Sequence, residues 1–522
     1  MTIRVIDIFA GPGGLSEGFA SVCNENSPPV FDHRLSIEME PHAFQTLKLR
    51  TFFRYFLQDI PEDYYYFLRG KISLNELYEA QPEAAKSASN RCWNATLGPD
   101  GAPASEVKER IGKEIKDSED WVLIGGPPCQ AYSLVGRSRN KGNPEYDPQK
   151  DVRQKLYVEY LQILADHRPA VFIMENVKGL LSAKLNDQRI FNLILKDLRN
   201  PAEAIIREGR NVSGGQTCSY QLVSLINTAD LKSGDTGSAV VRSEEYGIPQ
   251  ARHRVILLGI RDDIKRVSPK CLKKKPLVAV SDVLCSLPSL RSGLSRKKDS
   301  AEAWESILHR QVDSRWANAG TIKADNIRLS KLIKKTLSSI QTPFNDRGGE
   351  FIPCKIEPCI YEEWYGDERI GGVINHSTRG HMEKDLFRYM FASCYAKLHQ
   401  RSPSLKDFPI DLLPKHTSAE SALQSGSNFS DRFRVQSADS PSTTIVSHIS
   451  KDGHYYIHPD PEQCRSLTVR EAARLQTFPD NYYFCGPRTA QYIQVGNAVP
   501  PLLAKQIGEI VYDILHQAGA DC

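Results

Sequence analysis

The first 260 residues alternate short apolar or β-branched runs with helix-like stretches, and no other feature restricts the fold as strongly. The runs cover 3–9 (IRVIDIF), 33–38 (HRLSIE), 121–125 (WVLIG), 170–175 (AVFIME), 220–226 (YQLVSLI) and 254–260 (RVILLGI). Such alternation is the pattern of crossover units on a parallel sheet, which places the chain in the α/β class. Several runs are apolar on both faces, as a sheet covered by helices on both sides requires.

At 522 residues the chain is long enough for two to four domains of ordinary size. Residues 1–265 form the sheet-bearing unit, with a polar stretch at about 61–118 that reads as a helical insertion. Residues 266–460 turn basic, Ser-rich and punctuated by Pro and Gly, the texture of a second domain. Residues 461–522 supply returning helices. There Thr468-Val-Arg-Glu471 is a capping box, and a helix over about 501–516 sets Leu503, Ile507, Ile510, Val511, Ile514 and Leu515 on one face.

No apolar run reaches the roughly 18 residues that a bilayer span needs, and the start MTIRVIDIFAGPGG has no secretory pattern. The twelve cysteines are scattered without a C-x-x-C pair, so reduced thiols and a cytoplasmic location are expected. A net charge of +4 is too mild to declare a polyanionic partner. Residues 261–300, however, hold eleven Lys/Arg against four acids, which suits a solvated linker or a phosphate-facing patch.

Chemistry gathers where the runs end. The first leads into Asp7-Ile-Phe9-Ala-Gly11-Pro-Gly13-Gly14, and glycines at a strand-to-helix turn let a ligand approach the backbone and the helix N–H groups. Glu38 ends the next run 24 residues after Gly14, the offset of an acid that takes ribose hydroxyls. Asp59 is placed to end a third strand and accept an adenine amine. Gly125-Gly-Pro127-Pro-Cys129-Gln follows WVLIG, holding a thiol on a stiffened loop at the sheet edge. Glu175-Asn-Val closes another run, where an acid beside an apolar floor can keep a proton near neutrality. Gln250-Ala-Arg252-His-Arg254 opens the last run with two forked cations on one side. Each of these has a plainer reading as a tight turn, a cap, an ion pair or a surface edge.

Taken together and in order, FAGPGG, PPCQ, ENV, QARHR, the helix Arg465-SLTVR-Glu471-AARLQTFP and Gly496-Asn497-Ala498-Val499-Pro500 closely resemble the DNA (cytosine-5) methyltransferases of restriction-modification type. The likeness covers about 1–260 and 460–522. It implies a Rossmann-like S-adenosylmethionine-dependent methyltransferase domain with a smaller, irregular target-recognition domain. It implies Cys129 as the nucleophile at cytosine C6, Glu175 at N3 and the exocyclic amine, Arg254 at O2, and Arg252 supporting that arm or a phosphate. It further implies S-adenosyl-L-methionine seated by Phe9, Gly11, Gly13, Gly14, Leu15, Glu38, Met39, Asp59, Ile60, Pro127, Asn497 and Ala498, with no metal. The expected partner is duplex DNA, from which the base is flipped. The chain would bind it as a monomer, with a cognate endonuclease as genetic partner. Residues 375–381 and 431–434 offer donors suited to bases or phosphates.

Two departures stand out. The loop reads Gly-Pro-Pro-Cys where many members carry an aromatic residue before the proline, and the 61–118 stretch lengthens the domain. A tRNA cytosine-5 methyltransferase on the same fold is the nearest alternative, though such enzymes have a smaller recognition region. A catalytically silent nucleic-acid-binding homologue is the alternative of another class. Cys354, Cys359, His376 and His381 imitate a zinc pattern, but 16 residues separate the pairs where about 12 are usual.

Overall fold

A computed structural model describes residues 2–23, 28–98, 100–116, 118, 120–128, 152–185, 188–212, 217–232, 234–264, 268–296, 298–321, 326–414 and 431–520. The apolar runs become strands β1 (Ile3–Ile8), β2 (Phe31–Glu38), β4 (Trp121–Gly125), β5 (Val171–Val177), β6 (Tyr220–Val223) and β8 (His253–Arg261). Two short strands join them, β3 (Cys92–Asn94) and β7 (Val240–Arg242). The sheet order is β3-β2-β1-β4-β5-β8-β6, with β7 also paired to β8.

From β3 to β5 all neighbours run parallel. The sheet is not parallel throughout, because β8 runs antiparallel to β5, β6 and β7. Its reversed direction sets the start of β8 beside the end of β5, with Arg254 opposite Val177 and Ile256 opposite Glu175. Residues from the opening of β8 therefore join the carboxyl edge of the parallel strands, the edge at which such sheets bind ligands.

Helices α1 (Gly14–Ala20), α2 (Pro41–Tyr55), α3 (Glu62–Leu68), α4 (Leu74–Ala80), α5 (Pro82–Arg91), α6 (Ala104–Ile115), α7 (Val152–His167), α8 (Ile190–Arg199) and α9 (Pro201–Arg207) connect the strands. One face of the sheet packs Ile6, Leu35, Leu123 and Phe172 against residues of α6 to α9. The other face packs Val5, Val122, Ile173 and Leu258 against α1 and the last helix. The stretch at 61–118 is helical, but β3 interrupts it and belongs to the sheet, pairing Ile37 with Trp93 and Glu38 with Asn94. Helices α3 to α5 form a separate core with residues from far along the chain, including Ile370, Ile374 and Cys485. There Tyr65 donates its hydroxyl to Asp367 at 3.0 Å, and Arg69 donates to the Ile370 carbonyl at 3.0 Å.

Beyond residue 290 a second core gathers around α10 (Ala301–His309), α11 (Asn326–Ser339) and α12 (Glu383–His399). It contains Trp304, Leu329, Tyr389 and Phe391 together with Phe408, Phe433 and Ile457. Helix α13 (Val469–Leu475) begins at the capping box, in which Thr468 N–H donates to Glu471 at 2.7 Å and Glu471 N–H to Thr468 Oγ1 at 3.2 Å. Helices α14 (Arg488–Asn497) and α15 (Pro501–Ala520) follow. All six apolar residues picked out on α15 are buried against the sheet side that carries α1. Gly18 permits that crossing, since a Cβ there would lie 2.4 Å from both the Ala504 Cβ and the Pro501 carbonyl oxygen. Among the described residues no helix is long and apolar enough to cross a membrane.

Candidate active site

The glycine turn after β1 is built by left-handed backbone and by close approach of the chain's last segment. Gly13 caps α1 with φ 95°, and a Cβ there would meet the Leu47 side chain at 2.9 Å and the Tyr482 hydroxyl at 3.0 Å. At Gly14 a Cβ would lie 2.3 Å from the Val499 carbonyl oxygen, so these two segments can touch only through glycine. The Tyr482 hydroxyl donates to the Pro12 carbonyl. Phe9 holds φ 55°, an uncommon left-handed conformation for a bulky side chain.

Glu38 ends β2 with both oxygens oriented: Gly11 N–H donates to Oε2 and Glu40 N–H to Oε1, each at 2.7 Å. Burial pushes its carboxyl pKa upward, against these backbone donors, which favour the carboxylate. Each oxygen keeps a lone pair for a ligand hydroxyl.

The third strand end is the Gly125-Gly126-Pro127-Pro128 loop. Asn176 anchors it by donating its amide to the Pro127 carbonyl at 3.0 Å. Cys129 lies outside the described residues, and Pro128, its neighbour in sequence, is the last one before it. On β5, Glu175 Oε1 meets Arg254 Nε at 2.9 Å, with both side chains largely buried. The other carboxylate oxygen faces Gly126, whose missing Cβ would sit 3.1 Å from it.

One cavity of about 560 Å³ runs along these strand ends, within the range of about 300–1,000 Å³ common for small-molecule sites. Phe9, Gly11, Gly14, Leu15, Glu38, Met39, Pro127, Glu175, Asn497 and Ala498 all line it. Ala95, Thr96, Leu97, Ile493 and Gln494 line it too and were not picked out from the sequence. The signal for the first three was a three-residue strand, too short to show an alternating pattern.

Other expected residues stand elsewhere. Gly13 shapes the turn from behind and is not in the wall. Asp59 does not end a strand: it is exposed just after α2, because the third strand position is taken by β3 only after α3 to α5 have intervened. Ile60 is buried with Phe52, Tyr64 and Leu68 in the core of those helices, where an apolar side chain belongs. Arg252 is 2% exposed and donates to the carbonyls of Ile445 at 2.8 Å and Gly496 at 3.2 Å. It ties the β8 entry to later segments with its guanidinium turned inward and not to a phosphate, near enough to Arg254 and Glu175 to feel both charges.

The donors read at 375–381 also turn inward. Asn375 bridges Glu350 and the Phe484 N–H, and Arg379 donates to the carbonyls of Ile449 and Lys451. The imidazole of His376 contacts Thr468 at 2.8 Å and the Pro288 carbonyl at 3.0 Å, while that of His381 contacts Ser466 at 3.2 Å. The histidines of the zinc-like pattern are thus engaged with other groups, and among the described residues no three His, Cys, Asp or Glu gather to hold a metal. Part of the basic run is internal as well, since Arg291 pairs with Asp299 and Asp346. Arg432 and Arg434 line an open groove of about 520 Å³ with Thr443, His448 and Tyr455, where Arg434 also pairs with Asp431 and Arg432 lies 3.9 Å from Asp452.

The sequence profile of C-5 cytosine-specific DNA methylases matches residues 91–201 and 235–512. The type II methyltransferase M.Bpa9945I of Bacillus paralicheniformis is 32% identical over 98% of this chain and 99% of its own length. The DNA (cytosine-5-)-methyltransferase M.ApeKI of Aeropyrum pernix is 26% identical over 76% of this chain and 81% of its own. Among solved structures, a DNA modification methyltransferase encoded within an E. coli prophage superposes with a TM-score of 0.50 at 18% identity. That alignment covers 99% of this chain and 100% of the other, a likeness of fold.

Proposed function

The chain belongs to the C-5 cytosine-specific DNA methylase family, and from that premise we propose that it methylates C5 of a cytosine flipped out of duplex DNA, using S-adenosylmethionine. One observation carries the reading: a single cavity joins the glycine turn and Glu38 to the Pro128 loop and Glu175. The turn leaves the backbone uncovered at Gly11, and the oriented Glu38 carboxylate suits a ribose diol, so the residues present fit the cofactor. S-Adenosylmethionine supplies an electrophilic methyl group on a sulfonium centre.

The chain's own groups do the rest. Cytosine C5 is a poor nucleophile, so the Cys129 thiolate adds to C6 and drives electron density onto C5. Glu175 presents its carboxyl to N3 and the exocyclic amine, where charge develops, and Arg254, already paired with it, serves O2. Once C5 carries the methyl group, loss of its proton and expulsion of the thiolate restore the aromatic ring. Phe9 lines the cavity where a ring face attracts a cation.

Flipping costs a few kcal/mol, met by pocket contacts and by protein on the duplex. The unit over 266–460, with its own core and the Arg432–Arg434 groove, is proposed as the target-recognition domain. Its size favours DNA over tRNA as substrate. Protection against a cognate endonuclease and action as a monomer complete the proposal.

The deciding experiment incubates the protein and S-adenosylmethionine with DNA amplified from 5-fluoro-deoxycytidine triphosphate in place of deoxycytidine triphosphate. Fluorine cannot leave as a proton does, so a covalent complex should survive denaturing electrophoresis and vanish in Cys129→Ser. No complex with the unaltered protein would overturn the mechanism. Bisulfite sequencing of a host expressing the protein then reads the target.

A further inference from the structure

The proposed cofactor gives the cavity a direction. Its covalent order is methyl-bearing sulfur, ribose, purine, and neighbouring strands lie about 4.8 Å apart. With the reacting groups at the ends of β4 and β5 and Glu38 at the end of β2, the purine falls one strand further on. That is the end of β3, where Ala95, Thr96 and Leu97 line the cavity.

No carboxylate waits there among the described residues. The acids in the wall are Glu38, Glu40 and Glu175. Glu38 is held by the turn, Glu175 pairs with Arg254, and Glu40 caps α2 by accepting Ala43 N–H at 2.6 Å. Asp59 is exposed outside the cavity.

The turn after β3 instead presents neutral groups to the cavity, its one acid, Asp100, being exposed outside the wall. Ala95 N–H donates to the Glu38 carbonyl at 3.2 Å, and Ala102 N–H to the Thr96 carbonyl at 2.7 Å. The Asn94 amide donates to the carbonyls of Glu38 and Met39 at 2.8 and 3.2 Å, fastening the turn to β2. Gly101 presses so closely that a Cβ would lie 2.1 Å from the Thr96 carbonyl oxygen. Both the Asn94 amide and the Thr96 carbonyl thus have partners, whereas the Thr96 hydroxyl makes no hydrogen bond among the described residues.

Resting on the cofactor reading above, we propose that the Thr96 hydroxyl, on the turn that follows β3, reads the six-position edge of the purine in place of an acid. A carboxylate only accepts, whereas a hydroxyl accepts or donates. Thr96 therefore pairs with the exocyclic amine of adenine by accepting, and with a carbonyl at the same position by donating. The site tolerates deamination of the purine where a carboxylate would reject it.

Isothermal titration of the full chain with S-adenosylhomocysteine, and with its deaminated analogue bearing a carbonyl at position six, tests this. The unaltered protein should bind the two within about tenfold. Thr96→Val should weaken S-adenosylhomocysteine about 3- to 10-fold with an unchanged melting temperature, and Asp59→Asn should not change it. Thr96→Asp should open a gap between the two ligands on the order of 100-fold. Unaltered affinity in a folded Thr96→Val protein overturns the assignment, as does rejection of the deaminated ligand by the unaltered protein on the order of 100-fold or more. Failure of the unaltered protein to bind S-adenosylhomocysteine at all would overturn the cofactor reading itself.

Discussion

Arg254 Nε lies 2.9 Å from Glu175 Oε1, across the antiparallel junction between the start of one strand and the end of another. The acid and the cation proposed for two edges of one base are thus assembled before any base arrives. Each orients the other, and little rearrangement is left for the substrate to drive.

This predicts unequal outcomes for two conservative changes. Glu175→Gln keeps the shape but weakens the group facing N3, and kcat should fall about 10²- to 10⁴-fold with cofactor affinity unchanged. Arg254→Lys keeps the charge but loses the planar fork, so a smaller loss is expected, shared between kcat and KM for DNA. Single-turnover methylation separates the effects. Full activity in Glu175→Gln would remove that residue from the chemistry.

Gly126 should tolerate nothing larger. An added methyl would stand 3.1 Å from Glu175 Oε2 and 3.4 Å from its carbonyl oxygen, tight enough to push the carboxylate aside. Gly126→Ala should therefore lower kcat about 5- to 150-fold in a protein that still folds, as a cost of about 1–3 kcal/mol at one active-site contact implies. Activity assays beside thermal melts decide it.

Asp7 predicts a pH dependence of stability. Burial in β1 raises its carboxyl pKa from 3.8 to about 7, only partly offset by the hydroxyl that Ser16 donates. Well below pH 3.8 both folded and unfolded chains carry the proton and nothing is lost. As pH climbs toward 7 the unfolded chain ionises while the folded one does not, so the native state is increasingly penalised, and above 7 the penalty levels off. Asp7→Asn should gain stability over the parent across that window, by on the order of 4 kcal/mol at most. Parallel denaturation curves from pH 4 to 8 would contradict it.

The groove at Arg432 and Arg434 predicts a salt effect. If it grips backbone phosphates, Arg434→Gln should weaken DNA binding severalfold at low salt and lower the slope of log affinity against log salt by about 1. Fluorescence anisotropy on duplexes of different sequence should show the same loss for each. A loss confined to one sequence would instead place the side chain on a base edge.

The sequence carried most of the site because its chemistry sits at the ends of long apolar strands, where pattern and turn residues agree. Glu38, the Pro127 loop and Glu175 share one cavity wall for that reason. Legibility failed where the pattern was short or broken. Strand β3 spans three residues after three inserted helices, so Asp59 stood in for a strand end that comes 35 residues later, at Asn94. Alternation put Arg252 and Arg254 on one side, but pairing breaks between Ala251 and His253, and Arg252 turns to the carbonyls of Ile445 and Gly496 while Arg254 turns to Glu175. The polar residues of 375–381 looked solvent-facing because nothing local announces that distant segments will bury them.

The ligand cavity takes its walls from segments far apart in the sequence, Phe9, Gly11, Gly14 and Leu15 on one side and Ile493, Gln494, Asn497 and Val499 on the other. A growing chain therefore cannot close that cavity before residue 499 has been made. A product cut short before residue 493 lacks one wall of the cavity and with it the ligand site, however well its sheet has formed.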